Sequence, residues 1–194
     1  MKRMALVVLA AALLGIVSAA PADTLVLQPS PADLYDLDHH RFYTWGISPG
    51  LDLSHVNITG AKLNFDNIRD WRNEPNVLYV HLLDWAPAGV TSWYDGQGGG
   101  DNLAGLGIDL VTYYNLPTTP QDLEHVFTPS QVNSLSDYLQ NDGRAALGFD
   151  PDCHFCNDGV SLTMEYTHVP EPATMSLLGL GGLLILRRRR GRKA

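Results

Sequence analysis

The chain has 194 residues and a formal net charge of −8, from 13 basic and 21 acidic side chains. This length fits one domain with or without tails, and it excludes a large multidomain enzyme. Most of the basic side chains lie at the two ends of the chain. Residues 24–168 between them therefore carry only five basic but 19 acidic side chains. Such a surface repels phosphate backbones, and we therefore predict no nucleic-acid partner. Two cysteines exclude a miniprotein scaffold built on several disulfides.

The first 22 residues have the three-part organisation of an export signal. Two basic residues open the chain, the apolar stretch Met4–Val17 follows, and small residues lead up to Ala22. Fourteen apolar residues are short for a membrane span, which favours a signal over an anchor. We predict a helical signal peptide over residues 1–22, cleaved after Ala20 or Ala22, and an exported mature protein.

The central segment, residues 23–168, has the pattern of short β-strands. The clearest strand patterns are Ile58–Ile68, which Gly60 interrupts, then Val77–Leu83, Ile108–Tyr114 and Val160–Tyr166. These runs are rich in β-branched and aromatic residues, and clusters of Pro, Gly and Asp separate them.

Three tryptophans of this segment, Trp71, Trp85 and Trp93, lie beside turn residues. Flat rings next to hydrogen-bonding side chains are suited to holding sugars, so the three are candidate glycan-binding residues. The alternative is that the rings cover the open ends of the fold, since tryptophan is usually mostly buried.

Pairs of carboxylates raise the alternative of a glycoside hydrolase, in which two acids flank the bond that is cleaved. Asp84 with Asp95, and Asp70 with Glu74, are such pairs. With 19 carboxylates in residues 24–168, however, pairs arise by chance. The sequence contains no serine-hydrolase, phosphate-loop or dinucleotide-binding motif, and we predict that the protein is not an enzyme.

One part of the segment predicts a helix. Thr128 before Pro129 is a helix-start signal, apolar residues follow at helical spacing, and Gly143 is a stop signal. We predict a helix of about ten residues, inserted before the last two of roughly seven or eight strands. The whole pattern favours a mainly β fold, a jelly-roll-like β-sandwich.

The loop that follows offers a candidate calcium site. Asp150, Asp152, Asn157 and Asp158 supply oxygen ligands within nine positions, and Pro151 and Gly159 bend the chain around them. Calcium takes six to eight oxygens in flexible geometry, which such a loop can provide. The alternative is a solvated turn in which these side chains accept hydrogen bonds from backbone amides.

Cys153 and Cys156 lie in the same loop, with the spacing of a redox pair or of half a zinc site. Zinc would need two further ligands, and since no second cysteine pair exists, His39, His40 or His168 could serve only if the fold brings them close. In an exported protein a small structural disulfide is the simpler prediction, with a stabilisation of about 2 kcal/mol.

The last 26 residues form a second targeting segment. Its parts are the triplet Pro170, Glu171 and Pro172, an uncharged stretch over residues 173–186, and the basic cluster Arg187, Arg188, Arg189 and Arg190. The uncharged stretch makes about 21 Å of helix against a hydrocarbon core of about 30 Å, which is short for a span. Local thinning of the bilayer can close the gap, and the arginines resist translocation. We predict a membrane helix with a cytoplasmic arginine anchor.

This combination resembles the PEP-CTERM sorting signal of Gram-negative bacteria that make exopolysaccharide. The resemblance covers residues 169–194. It implies that exosortase, a membrane cysteine protease and transpeptidase, is a partner and processes the chain near Pro170–Pro172. It also implies release or attachment at the cell surface after a transient membrane stage. The prolines keep the site extended, the form that proteases accept.

Three functional hypotheses follow from these observations. The first is an exported surface or matrix protein associated with exopolysaccharide, in which calcium is the one candidate cofactor. The second is a carbohydrate-binding module that uses the three tryptophans, and the third is a weak glycan hydrolase. Binding to exopolysaccharide that depends on the tryptophans would separate the second hypothesis from the first.

Overall fold

Alternating apolar residues in the central segment form β-strands, as the sequence predicts. The computed structural model describes residues 21–96 and 99–169, and these contain ten strands and one helix. The strands are β1 (Ala22–Leu27), β2 (Arg41–Ile47), β3 (Val56–Asp70), β4 (Val77–Leu83), β5 (Gly89–Tyr94), β6 (Ile108–Tyr114), β7 (Gln121–Val126), β8 (Ala145–Pro151), β9 (Phe155–Cys156) and β10 (Gly159–His168), and the helix is α1 (Pro129–Asp142). The predicted signal helix and the predicted sorting helix lie outside the described residues.

The strands form two antiparallel sheets. The first sheet has the order β1-β10-β3-β7, with β9 paired to the end of β3, and the second has the order β5-β2-β8-β4-β6. Without β5 and β9, the remaining eight strands have the connection order of a jelly roll, four in each sheet. The predicted jelly-roll-like sandwich is confirmed. β5 extends the second sheet at its edge, next to β2.

The two sheets enclose one main core. Strand alternation directs Leu63 and Phe65 of β3 towards Leu147 and Phe149 of β8, and all four side chains are buried. The ring of Phe65 meets that of Phe149 edge-on, with centroids 5.9 Å apart. Each such side chain contributes about 1.5–3 kcal/mol to folding through removal of apolar surface from water.

Helix α1 begins and ends where the sequence predicts. Thr128 accepts a hydrogen bond from the amide of Gln131, and the Gln131 side chain accepts one from the Thr128 amide, which completes a capping box. Gly143 closes the helix in a left-handed conformation, with φ 76°. Its buried face, which includes Leu135 and Leu139, joins the main core. With 14 residues the helix is longer than predicted.

The strand pattern differs from the prediction in two respects. Three strands follow α1 rather than two, because the two-residue strand β9 has no alternation long enough to be recognised. β3 runs through Gly60 without interruption, and its irregularity lies instead between Phe65 and Ile68, where Asn67 has φ 50°. Among the described residues, no helix has the length and apolar composition needed to cross a membrane.

Candidate functional site

The outer face of the second sheet is covered by the segment that leads into β6, and this produces a buried polar site. Leu103 of that segment packs on Leu83 and Ala146, in a second small core. A side-chain carbon at Gly148 would lie 2.5 Å from Leu103, so only glycine fits beneath the segment without displacement. As a result β8 is buried on both faces, including its outward-facing residues.

We call the group of Asp95, Asp101, Asp150, Asp152 and His81 the covered acidic site, and Asp150 is its central residue. It lies on the same face of β8 as Gly148 and is fully buried. One carboxylate oxygen, Oδ2, accepts hydrogen bonds from the backbone amide and the side-chain amide of Asn102. The other oxygen, Oδ1, is buried without a hydrogen-bond partner. Burial raises the pKa of Asp150 to about 6, and the charges of Asp95 and Asp101 act in the same direction.

Asp152 belongs to the same acidic site. Its Oδ1 is also a buried oxygen without a hydrogen-bond partner, while its carboxylate accepts a hydrogen bond from the amide of Gly100. Burial raises the pKa of Asp152, and Asp95 and Asp101 again raise it further. Four carboxylates therefore interact at one place, and their mutual repulsion favours a bound cation or a retained proton.

His81 of the covered acidic site lies between two acids. Its Nε2 lies 3.0 Å from Asp101 Oδ2, and its Nδ1 lies 3.1 Å from Asp109 Oδ1 without hydrogen-bond geometry. Ligand atoms of His81, Asp101 and Asp109 all lie within 4.8 Å of one another. Each ring nitrogen of His81 thus lies next to a carboxylate. No sequence pattern indicated His81, because Asp101 comes from the loop before β6 and Asp109 from β6 itself, both distant from His81 in sequence.

The four predicted calcium ligands do not share one set of neighbours. Asp150 and Asp152 interact with the acids of the covered site. Asn157 instead bonds to the β1–β2 segment, where its backbone amide donates to Asp36 and its side-chain amide donates to the Asp33 carbonyl. Asp158 accepts a hydrogen bond from Asn67. The turn at residues 152–154 and the pairing of β9 separate ligands that are close in sequence.

Asp158 is part of a second acidic group, beside the bulge of β3. Burial raises the pKa of Asp66 here, and Asp122 and Asp158 add to that shift. The three acids border a groove of about 440 Å³ between β3, β7 and the start of β10. Their side chains are exposed, so water and dissolved ions reach this group freely.

The two cysteines are free thiols with different neighbours, so the predicted disulfide is not present in the structure. The Cys153 sulfur lies 3.2 Å from Asp70 Oδ1 and 3.2 Å from Glu74 Oε1. Burial, with the hydrogen bonds to Glu74 and Asp70, raises the pKa of Cys153 to about 12. Cys156 is the second residue of β9 and pairs with Arg69 of β3. The two sulfurs therefore belong to separate side-chain groups.

All three predicted tryptophans are substantially exposed: 54% for Trp71, 56% for Trp85 and 42% for Trp93. Trp71 lies against Arg72, whose guanidinium carbon is 4.5 Å from the ring centroid. Trp93 stacks with Phe42 at 6.2 Å and donates a hydrogen bond to Thr44. The strand register places Trp85, after β4, at the opposite end of the second sheet from Trp93, near the end of β5.

The structure also contains an open cavity of about 400 Å³ near the β2–β5 edge. Its lining comprises Tyr35, Asp38, Arg41, Tyr43, Val90 and Ser92. Arg41 donates a hydrogen bond to the Ser92 hydroxyl at 3.1 Å. An exposed aromatic ring with a carboxylate, a guanidinium and a hydroxyl nearby is a chemical combination that suits a sugar. Tyr35 and Arg41 were not recognised from the sequence, because an isolated loop residue and the first residue of a strand carry no pattern.

Neither acidic pair considered for hydrolysis has a suitable arrangement. Asp84 follows β4 and Asp95 follows β5, and the register places these strand ends at opposite ends of the sheet. Asp70 and Glu74 do approach each other, but the Cys153 thiol lies between their oxygens. Asp70 is buried and accepts a further hydrogen bond from Asn76.

Comparison with known proteins concerns mainly the C-terminal segment. Residues 168–190 match the family model of the PEP-CTERM protein-sorting motif. The chain carries a PEP-CTERM sorting motif. The predicted resemblance is thereby confirmed, and the motif implies export, a membrane-anchored sorting signal and processing by exosortase. The motif residues Pro170–Pro172 and Arg187–Arg190 lie outside the described part of the structure.

The central domain has only remote likenesses. No curated protein matches the chain. Among solved structures, recombinantly expressed latent aurone synthase, a polyphenol oxidase, has 11% identity and a TM-score of 0.39, over 79% of this chain and 29% of that one. The same enzyme from its natural source has 10% identity and a TM-score of 0.37, over 80% and 30%. The chain spans less than a third of these proteins, and the likeness is too weak to bear on activity.

Proposed function

We propose that this exosortase-sorted protein acts at the cell surface or in the extracellular matrix as a non-catalytic domain that associates with exopolysaccharide. The observation that carries the proposal is the exposure of Trp71, Trp85 and Trp93 on a domain followed by a sorting motif. Tryptophan is usually mostly buried, and an exposed ring offers a flat apolar face with a polar N–H to a ligand.

The distribution of the rings supports binding of a long, repeating polymer rather than of one small sugar. Trp85 and Trp93 lie at opposite ends of the second sheet, so no single sugar contacts both. A polymer can contact separate rings at the same time, and several weak contacts then add to a useful affinity. The negative charge of the domain keeps it soluble between such contacts.

Binding of the exported protein to the host's own exopolysaccharide tests this proposal. Trp71→Ala, Trp85→Ala and Trp93→Ala are compared with Tyr114→Ala, which removes a ring that is 64% exposed but was not predicted to bind. We expect a loss of about tenfold in affinity for at least one tryptophan variant, which corresponds to about 1.4 kcal/mol. Equal losses in the Tyr114 variant, or no loss in any tryptophan variant, would refute the proposal.

The sorting stage has a separate test. Replacement of Arg187–Arg190 by glutamine removes the charges that resist translocation, and we expect the precursor to escape normal processing. Arg144→Gln changes a charge in the central domain and serves as the control. Normal trimming and display of the protein without the arginine cluster would contradict the anchor mechanism.

We also propose calcium as a ligand of the covered acidic site, with Asp150 and Asp152 as the residues that bind it. The support comes from their two buried oxygens that lack hydrogen-bond partners, and from the nearby charges of Asp95 and Asp101. Calcium supplies the positive charge that such oxygens need. In a titration calorimeter, Asp150→Asn should abolish millimolar calcium binding while Asp158→Asn preserves it. The reverse result would assign calcium to the exposed acidic group beside β3.

A further inference from the structure

A group of metal-ligating atoms lies where the segment between β1 and β2 meets β9, and it uses none of the residues of the covered acidic site. A carboxylate oxygen of Asp36, a ring nitrogen of His154 and the sulfur of Cys156 lie within 4.8 Å of one another. All three side chains are partly exposed, so an ion can reach them from solvent. We propose that Asp36, His154 and Cys156 bind a zinc ion, with water as the fourth ligand.

The ligand chemistry selects zinc over calcium. Zinc binds sulfur, nitrogen and oxygen in a tetrahedron, with bonds of about 2.3 Å to sulfur and about 2.0 Å to the others. Calcium requires six to eight oxygens, which a set containing a thiolate and an imidazole does not supply. With one sulfur in the set, those bond lengths place tetrahedral ligands about 3.3–3.5 Å apart, so the three atoms, now within 4.8 Å of one another, have to move closer when zinc binds.

An unusual backbone turn presents Asp36 to the other two residues. Residues 34–37 all have positive φ, with values of 54°, 61°, 54° and 23°. Such a run is costly for residues other than glycine, and it persists only where the surroundings enforce it. Here the fully buried Leu34 and Leu37 hold the turn in the core. Asp36 Oδ1 accepts a hydrogen bond from the Asn157 amide at 3.2 Å, which fixes the orientation of the carboxylate.

Contacts with the end of β3 hold His154 and Cys156 in place. The amide of Trp71 donates to the His154 carbonyl at 3.1 Å, and the two rings lie 5.6 Å apart. Cys156 pairs with Arg69 in the β3–β9 ladder. Phe155, between them, donates its amide hydrogen to the Leu37 carbonyl at 3.3 Å. Backbone contacts thus bring all three ligands together before any metal binds, which lowers the entropic cost of binding.

The other cysteine is unsuited to this role. Cys153 also has two acids within ligand distance, but that group contains no nitrogen ligand and its thiol is buried. Cys156 lies with both a carboxylate and an imidazole, and it is more exposed, so an ion can reach its sulfur from solvent.

Zinc binding by the exported protein, with its thiols intact and all metal first removed by a chelator, tests the proposal. A chromophoric competitor reports affinity, and cobalt in place of zinc reports the sulfur ligand through a thiolate charge-transfer band. We expect one zinc per chain. The substitutions Asp36→Asn, His154→Gln and Cys156→Ser should each weaken binding at least tenfold, whereas Cys153→Ser should leave it unchanged. In Asp36→Asn, the new amide oxygen can still accept the hydrogen bond from the Asn157 amide, so this variant tests ligation without loss of the turn.

The outcomes separate the proposal from its rivals. A cobalt charge-transfer band that survives Cys153→Ser and disappears in Cys156→Ser supports it. Substoichiometric zinc, binding that Asp36→Asn does not alter, or a band that depends on Cys153 overturns it. The absence of free thiols in protein taken directly from the cell exterior also overturns it, because it would show that the cysteines are paired. None of these readouts depends on polysaccharide binding.

Discussion

Substitution of Asp150 by asparagine isolates the cost of burying one carboxylate beneath the covering segment. The asparagine oxygen can still accept the hydrogen bond from the Asn102 amide, while the titrating group is removed. In the folded protein burial raises the pKa of Asp150 from 3.8 to about 6. The folded state therefore holds a proton that the unfolded state has already released over this range, and stability falls as the pH rises from about 4 to about 6.

The size of this effect follows from the pKa difference. A shift of about two units corresponds to roughly 3 kcal/mol in total, of which about 2 kcal/mol develops between pH 4 and pH 7. We expect the free energy of unfolding of Asp150→Asn, relative to the original protein, to increase by that amount over this interval. The comparison cancels the contribution of Asp66, whose pKa is also raised but which belongs to the separate acidic group beside β3.

Urea unfolding of both proteins at several pH values, in the presence of a chelator, measures the difference. Parallel pH profiles for the two proteins would refute the burial argument. Excess calcium provides a second arm, because calcium binds the ionised carboxylate and should stabilise the original protein at pH 7 but not the variant. If calcium changes the free energy of unfolding of neither protein, the calcium proposal fails. The comparison of the two pH profiles does not depend on that result.

Three further substitutions or treatments test other parts of the structure. Thr128→Ala should destabilise the protein by about 1 kcal/mol through loss of the capping box, whereas Thr128→Ser should not, and thermal unfolding distinguishes them. Gly148→Ala should lower the free energy of unfolding in urea by about 1–3 kcal/mol because its new carbon meets Leu103. The same substitution should cost less when it is made in a Leu103→Ala background. Iodoacetamide should alkylate Cys156 before Cys153, as mass spectrometry of peptides can follow, and the reverse order would contradict the burial of the Cys153 thiol.

Elements with a strong local signal could be predicted from the sequence. The apolar runs at Val77–Leu83 and Ile108–Tyr114 coincide with β4 and β6, and the cap signals at Thr128 and Gly143 mark the ends of α1. The C-terminal motif was equally clear, since proline, glutamate and a basic cluster occur in a fixed order. Such features depend only on neighbouring residues, and a single sequence contains them in full.

The candidate sites depended instead on contacts between distant segments. The predicted calcium set assumed that residues close in sequence share one site, but Asp150 meets Asn102, which is 48 residues away. Asp36 approaches Cys156 because of a left-handed turn for which the sequence offers no glycine. Periodicity shows which side a strand buries, and it does not show which loop covers the other side.

The position of the last strand has a consequence for export. β10 lies between β1 and β3, with Ala22 opposite Thr167, and the sorting motif begins at its final residue. The first sheet therefore stays open until the residues next to the motif have crossed the membrane and inserted. We expect the time that the sorting tail holds the precursor at the bilayer to be available for that insertion.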